Sequence, residues 1–468
     1  VVKSVLGTYW AQAVAGLLLC LTVFGGCGSM MTNTKYYKPI TAELQNDNFA
    51  GAVDKIEAAR GKYAKKDRFL YYLDAGLAYH YAQRYDSSTA RLTSAEDAAD
   101  ELFTKSISKA ALSVVLNDNA LDYSGEDYEI LYTNLIKALN FAAEDKFDGA
   151  LVEIKRANEK LNLLEYKYRE AAEELNEGAR DDTARVEIEY KAKKVRFNND
   201  AFARYLSMHL YAADGKYDDA RIDYDYLKAA FQEQQYIYDF AMPEVQYYSE
   251  NGAILSVVAL AGMSPVKEAL NLRLRTDKDL DLVQILYTDP ERQDTEYGHI
   301  PMAVSHDYYF KFAIPVIVAR PSVIHRIRVY ADNEMIGTLQ LIEDIGAVAN
   351  ETFEAKRSLI YLRTVARAVY KGLLAHQQKK KADDGELGGW LKKLAIDVVT
   401  DISENADLRC SRLLPGRIFV GDFELAPGTY DFKVEFLDQY GMVLATDHID
   451  KYTVLKNGLN LIEAVSLK

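Results

Sequence analysis

Tyr205-Leu206-Ser207-Met208-His209-Leu210-Tyr211-Ala212-Ala213-Asp214-Gly215-Lys216-Tyr217-Asp218-Asp219-Ala220 holds a whole helix–turn–helix unit in one short segment. Its first part is apolar at helical spacing, Asp214-Gly215 interrupts it, and a second helix follows from Lys216-Tyr217 toward Phe231. An aromatic residue with a small one three positions later suits a helical hairpin. The small side chain lets the second helix approach the first, and the aromatic covers their junction. The same spacing recurs at Asn48-Phe49-Ala50-Gly51-Ala52, Arg84-Tyr85-Asp86-Ser87-Ser88 and Lys146-Phe147-Asp148-Gly149-Ala150.

Phe49 and Tyr85 are 36 positions apart and Phe147 and Tyr217 are 70 apart, close to one and two periods of about 34 residues. The pattern resembles the tetratricopeptide repeat. Residues 40–268, rich in Ala, Leu, Tyr, Glu and Lys and almost without proline, are therefore expected to form a tetratricopeptide-like α-helical array. Within them Ala253–Gly262 reads as a buried helix, too short to span a bilayer. Glu165–Arg196 is charged on most faces and reads as a solvated extension, either a spacer between repeats or a projecting arm.

After Pro265 the period changes from 3.6 to 2. Strands are expected at Leu270–Leu274, Leu282–Tyr287, Tyr308–Val318, Ile324–Tyr330, Met335–Leu341, Arg417–Leu425, Tyr430–Leu437, Met442–His448, Lys451–Leu455 and Leu459–Val465. In Tyr430–Leu437 the residues Tyr430, Phe432, Val434 and Phe436 share one side and Asp431, Lys433 and Glu435 the other. Two helices, about Thr352–His376 and Gly389–Ser403, interrupt the strands. The expected fold class is α+β and multidomain: a helical array followed by a β-rich domain at 269–468 with a two-helix insertion at about 350–403. That domain is one β-sandwich or two small sheets.

The first 27 residues have one basic residue, Lys3, an apolar run from Val14 to Phe24, and Gly25-Gly26 before Cys27. The layout is that of a secretory signal. With Cys27 after the small pair it resembles a bacterial lipoprotein signal, although Phe24 stands where that signal ordinarily has leucine. The resemblance implies that Cys27 is acylated and begins the mature chain, residues 28–39 being a tether. Gly28, where Asp would favour the inner membrane, implies the outer one. Three acyl chains at roughly 0.8 kcal/mol per buried CH₂ make a durable anchor. Cys20 would leave with the signal, so Cys410 would be the one free thiol and no intrachain disulfide would form. With 56 Lys and Arg against 70 Asp and Glu, the net charge is −14, which disfavours nucleic acid and anionic membrane surfaces as general partners.

Candidate sites are few. In Asn117–Tyr128 the Asp and Asn density suggests calcium, but the loop spacing of a calcium hand is missing. The plainer reading is a helix start with Ser124 as cap and Glu126-Asp127 complementing the helix dipole. Tyr123, Gly125, Glu126, Asp127, Tyr128 and Asn134 are retained as candidates for contact with a partner. The seven histidines are scattered, and His299 with His306 makes a weak zinc pattern. No catalytic, metal or cofactor motif stands out, and Cys410 reads as a structural thiol. The 34 tyrosines, among them Tyr71-Tyr72, Tyr247-Tyr248 and Tyr308-Tyr309, serve packing or line a binding groove. Lys379-Lys380-Lys381 reads as a solvated turn or a contact for lipopolysaccharide phosphate.

As a whole the chain resembles an uncharacterised family of proteobacterial lipoproteins with repeat-like helices ahead of a β-rich tail. The residues that carry the likeness are Tyr123–Glu129, Asn134, Lys137–Asn140, Ala150–Glu153, Leu359–Arg363, Ala366–Ala368, Ala406–Arg409 and Leu413–Pro415. The resemblance implies an envelope location and a helical scaffold rather than a reaction. The leading expectation is a non-enzymatic, outer-membrane-anchored periplasmic lipoprotein that touches the membrane through lipid alone. It would hold a protein partner and need no cofactor. A glycan-binding module, for peptidoglycan or another polysaccharide, is the first alternative, and an enzyme with an unrecognised site is the second.

Overall fold

The computed structural model describes residues 34–110, 122–163, 197, 199–277, 279–280, 282–287, 295–301, 309–354, 357, 360 and 406–468. Over these residues the chain is a mixed α+β protein. Helices come first: α1 (Tyr37–Gln45), α2 (Phe49–Ala58), α3 (Arg68–Tyr81), α4 (Tyr85–Ala110), α5 (Asp127–Ala143), α6 (147–163), α7 (Ala201–Ala213) and α8 (Tyr217–Glu233). They pair in chain order as four hairpins, and all four turn in the same way. Asp47, Gln83, Asp145 and Gly215 are left-handed, with φ of 56°, 56°, 56° and 72°. Each stands two residues ahead of the aromatic noted above. The next amide then reaches back five residues to close the first helix. The bonds run from Asn48 to Glu43, Arg84 to Tyr79, Lys146 to Phe141 and Lys216 to Tyr211, all at 2.8–2.9 Å. Ala52, Ser88, Ala150 and Ala220 are fully buried where the paired helices meet. Ser88 Oγ donates across its hairpin to the Gly76 carbonyl at 2.7 Å.

The first helices of the second, third and fourth hairpins, α3, α5 and α7, are buried on nearly every face. They lie between the second helices and a sheet. The strands are β1 (Ala253–Met263), β2 (Val266–Asp277), β3 (Leu282–Tyr287), β4 (Thr295–Pro301), β5 (Tyr309–Val318) and β6 (Arg326–Ala331). They continue with β7 (Glu334–Thr338), β8 (Gln340–Asp344), β9 (Pro415–Leu425), β10 (Gly428–Leu437), β11 (Val443–Val454) and β12 (Leu461–Ser466). The first sheet has the order β12-β1-β9-β8, the second β11-β10-β6-β7 and the third β4-β3-β2-β5. Leu255, Val257, Ala259 and Ala261 of β1 join Ile327, Val329, Phe432, Val434 and Phe436 in a core shared by the first two sheets. Val258 and Leu260, on the other face, pack into the helical core. The order of layers is therefore helices, first sheet, second sheet.

Several expectations change. Ala253–Gly262 is not a helix but the central strand β1, and the helical part ends at Glu233 rather than 268. A strand covered on both faces loses its polar alternation and looks like a buried helix to any periodicity test. Met335–Leu341 is two strands, because the chain crosses from the second sheet (β7) to the first (β8) at Leu339. Met442–His448 and Lys451–Leu455 are one strand, β11. A register shift opposite Tyr430 and Phe432, with left-handed Lys451, gives its middle a turn-like look. The strand β4 was not anticipated. A helix (α9) covers 345–354, starting seven residues before the expected Thr352. The remainder of the insertion, Glu165–Arg196, Lys379–Lys381 and the signal with Cys27 lie outside the described residues.

A left-handed L-residue costs about 1–2 kcal/mol against glycine. Gln83→Gly is therefore expected to raise the unfolding free energy by up to about 1 kcal/mol. No atom lies within 4 Å of a Cβ built on Gly215, so Gly215→Val should lower stability by about 1 kcal/mol or more through backbone strain alone. Urea denaturation of both variants checks this pair.

Candidate functional site

The structure draws the sequence candidates of the 123–134 region inward. Glu126, not Ser124, caps α5, in a reciprocal box with Glu129. Gly125 has φ 95°, and a Cβ there would come within 2.5 Å of the Phe69 ring. Glu126 pairs with buried Lys267 at the start of β2. Glu129 Oε2 accepts from Tyr123 OH at 2.6 Å and from its own cap's amide at 2.8 Å, and Oε1 accepts from the Ser411 amide. Tyr128 and Asp127 are buried beside them. Asn134 donates to Glu153 at 2.7 Å and Glu96 at 3.1 Å, and accepts from Lys160 at 2.7 Å. These residues fasten parts of the chain to one another, with Gly125 and Glu126 partly exposed and Tyr123, Asp127, Tyr128 and Asn134 buried.

The same seam runs on through Ser411, whose Oγ donates to Asp74 Oδ1 at 2.7 Å. Asp74 Oδ2 accepts from Tyr37 OH at 2.5 Å and Tyr63 OH at 3.1 Å. Arg409 bridges Asp407 at 2.7 Å and Asp67 at 2.9 Å. Burial raises the Asp74 carboxyl to about 6 against the hydroxyls that donate to it. Burial, with the Glu126 charge adding, raises Glu129 to about 7. Burial also pushes the Cys410 thiol up to about 11 despite nearby Lys267, which makes it a poor nucleophile at neutral pH.

Every strand of the first sheet is tied to the helices by a polar group. From β12, Glu463 lies 2.7 Å from His80 Nε2, while His80 Nδ1 lies 2.7 Å from Asn140 Oδ1. Burial opposes protonation of His80, but the Glu463 carboxylate and the Asn140 contact outweigh it and hold the imidazole above its ordinary range. From β8, Glu343 accepts from Tyr238 OH at 3.0 Å, next to Asp200, the cap of α7. Burial raises both carboxyls, Asp200 to about 6, and the Asp200 charge adds to the rise at Glu343. From β9, Asp422 accepts from Tyr205 OH at 2.7 Å and lies 3.1 Å from His209 Nε2.

Ser256 of β1 completes a set whose residue types are those of a nucleophilic triad, a set that sequence reasoning missed because its members are far apart in the chain. Its Oγ is 3.0 Å from His209 Nδ1 and 3.3 Å from Nε2. A hydroxyl shared this way sits off the axis of either lone pair, so neither nitrogen is aligned to take its proton. Ser256 is 1% exposed, and its amide donates to the Asn460 carbonyl. In this arrangement the set braces the helices against the sheet.

Above it opens a cleft of about 470 Å³, walled by the α7–α8 turn, the segment 247–254 and the loop 456–460. Tyr217 and Tyr248 stand at its lip, 46% and 49% exposed, with ring centroids 5.1 Å apart at 73°. Glu250, Lys456 and Asn457 supply polar groups, and His209 forms part of the floor. The loop 456–460 is preformed. Asn460 Nδ2 donates to the carbonyls of Ile254 at 3.1 Å and Leu455 at 2.8 Å, and its Oδ1 accepts from the Leu455 amide at 2.7 Å. Tyr247-Tyr248 was visible in sequence, but nothing there placed it beside Asn457.

Of the weaker candidates, His299 falls in strand β4, while His306 lies outside the described residues. Among the described residues no group of three or more His, Cys, Asp or Glu is placed to hold a metal, and no helix is long and apolar enough to cross a membrane. No protein-family model matches the chain, and no curated protein matches it.

Unfolded carboxylates titrate near pH 4, and a tenfold change in proton affinity on folding corresponds to about 1.4 kcal/mol. A carboxyl raised by burial stabilises the fold below its unfolded pKa, and that stability is lost as pH rises through the folded value. Glu343→Gln is therefore expected to match the parent near pH 4 and to be the more stable of the two at pH 8. Denaturation curves at the two pH values measure the difference.

Proposed function

We propose that this chain is an envelope lipoprotein, anchored to the outer membrane through Cys27, that binds a glycan without catalysing a reaction. In this reading the hairpins are a tetratricopeptide-like array and the first two sheets a β-sandwich. The inner helices of such an array ordinarily line a groove for a partner. Here those helices are covered by the chain's own first sheet, so binding shifts to the cleft. The observation that carries the reading is the pair Tyr217 and Tyr248, half exposed at the lip of a polar, preformed cleft. The apolar face of a sugar ring stacks on tyrosine, and its hydroxyls meet groups such as Glu250, Lys456 and Asn457. A protein partner is the second reading, supported by Ile222 and Tyr226, which are 45% and 49% exposed on the outer face of α8.

Titration calorimetry with soluble peptidoglycan fragments tests the first reading. Tyr217→Ala and Tyr248→Ala are each expected to weaken binding about tenfold, or roughly 1.4 kcal/mol, with unchanged circular dichroism. Absence of glycan binding, together with a protein crosslinked to α8 in intact envelopes, would favour the second. Cys27→Ala is expected to release the protein from membranes in a carbonate wash.

A further inference from the structure

The two ends of β1 carry different surfaces. The cleft lies at its start, by Ala253. At its far end, about 33 Å away for an 11-residue strand, several parts of the chain converge. The entering segment is there, since Tyr37 bonds Asp74 and lies under Arg412, 5.5 Å from its ring centroid. Arg320 donates to the Arg412 carbonyl at 2.8 Å, and Ser322 Oγ donates to the Lys468 carbonyl at 2.6 Å. Lys468 pairs with Asp47 and donates to the Leu444 carbonyl at 3.1 Å, next to the β10–β11 turn.

That turn is stiff, and beside the polar Asp438 and Gln439 it exposes apolar side chains. Asp438 Oδ1 accepts from the amides of both Tyr440 and Met442 at 2.8 Å, and the Asp438 amide donates to the Met442 carbonyl at 3.0 Å. Gly441 takes φ 85°. The fixed turn holds Tyr440 81%, Met442 67% and Val443 50% exposed. Beside it the His325 amide bonds the Leu437 carbonyl at 2.8 Å, bringing up Val323, 52% exposed, and the exposed basic residue Arg326. An aromatic, a methionine and two valines flanked by a cation suit the interface of a bilayer, where apolar side chains enter the acyl boundary and Arg meets lipid phosphate.

We infer that this end of the molecule rests on the bilayer, with Tyr440, Met442 and Val443 inserted at its interface. The inference rests on the proposed anchor at Cys27. From Cys27 to Thr34 the chain reaches at most about 25 Å, which keeps the entry end near the membrane. A net charge of −14 gives little electrostatic pull toward an anionic surface, so the contact is chiefly apolar. The two attachments, lipid and turn, fix the orientation that a flexible tether alone would leave free. The cleft then faces away from the bilayer, toward the cell wall.

The test uses full-length acylated protein in vesicles of phosphatidylethanolamine and phosphatidylglycerol, with a polarity-sensitive fluorophore at Met442→Cys or, as the far-end comparison, Asn457→Cys. The one cysteine left to compete, Cys410, is buried. The expected result is a blue shift at position 442, with emission quenched by about half by spin-labelled lipid, and no change at 457. Insensitivity at 442 in protein shown by mass to be acylated overturns the inference and leaves the anchor standing. If Cys27 proves unacylated, the anchor reading fails, and Met442→Cys labelled in a Cys20→Ser, Cys27→Ser background and titrated with excess vesicles still decides whether the turn inserts. A blue shift that needs no vesicles and grows with protein concentration would assign the surface to a second copy of the chain, which also overturns it.

Discussion

Burial of β1 on both faces is the constraint that orders the rest of the molecule. One face of the strand meets the second sheet and the other meets the helices, so Leu255 and Val257 serve one core and Val258 and Leu260 the other. Each such side chain contributes roughly 1.5–3 kcal/mol on burial. A strand with no wet face has no tolerance for a slip in register, since a shift by one residue exchanges the two cores. The neighbours β9 and β12 inherit the same restriction, with Ile418 and Val420 turned to the helices and Phe419 to the second sheet.

Apolar contact alone would leave the helical layer free to slide over the sheet. Polar pairs remove that freedom. His80 with Glu463, Tyr238 with Glu343, Tyr205 with Asp422 and Ser411 with Glu129 and Asp74 each join one point on a helix or its flank to one point on the β part. Buried polar contacts of this kind add modest net stability, yet misplacing them is costly because each group left unpaired keeps its desolvation penalty. They select one alignment of the layers. The carboxyls among them accept raised pKa values as the consequence of that burial.

Local features were the legible part of the sequence. The aromatic-to-small spacing at Phe49, Tyr85, Phe147 and Tyr217 marked all four hairpin turns, because a turn is made by residues next to one another. Alternation in Tyr430–Leu437 marked β10 because Phe432, Val434 and Phe436 bury while Asp431 stays out. What failed depends on distant partners. Ala253–Gly262 looked helical because its two coverings, 327–329 and 432–436 of the second sheet on one hand and the helices on the other, are not local. The loop around Gly125 was legible as a helix start, but its partners Lys267 and Ser411 were not, because they lie far along the chain. The cleft brings Tyr217, Tyr248 and Asn457 together only through the pairing of β1 with β12.

That pairing is parallel and joins Ser256 to Leu461, about 200 residues apart, through Ala261 and Ser466. The hairpins need only near neighbours and can form as the chain is synthesised. The platform on which their inner helices settle cannot close until Leu461–Ser466 exist. Until then an apolar flank stays open, and loop closure over such a separation is slow. Chains that stop short of Leu461–Ser466 would therefore leave that flank open to holding chaperones and proteases, and this six-residue strand is what covers it.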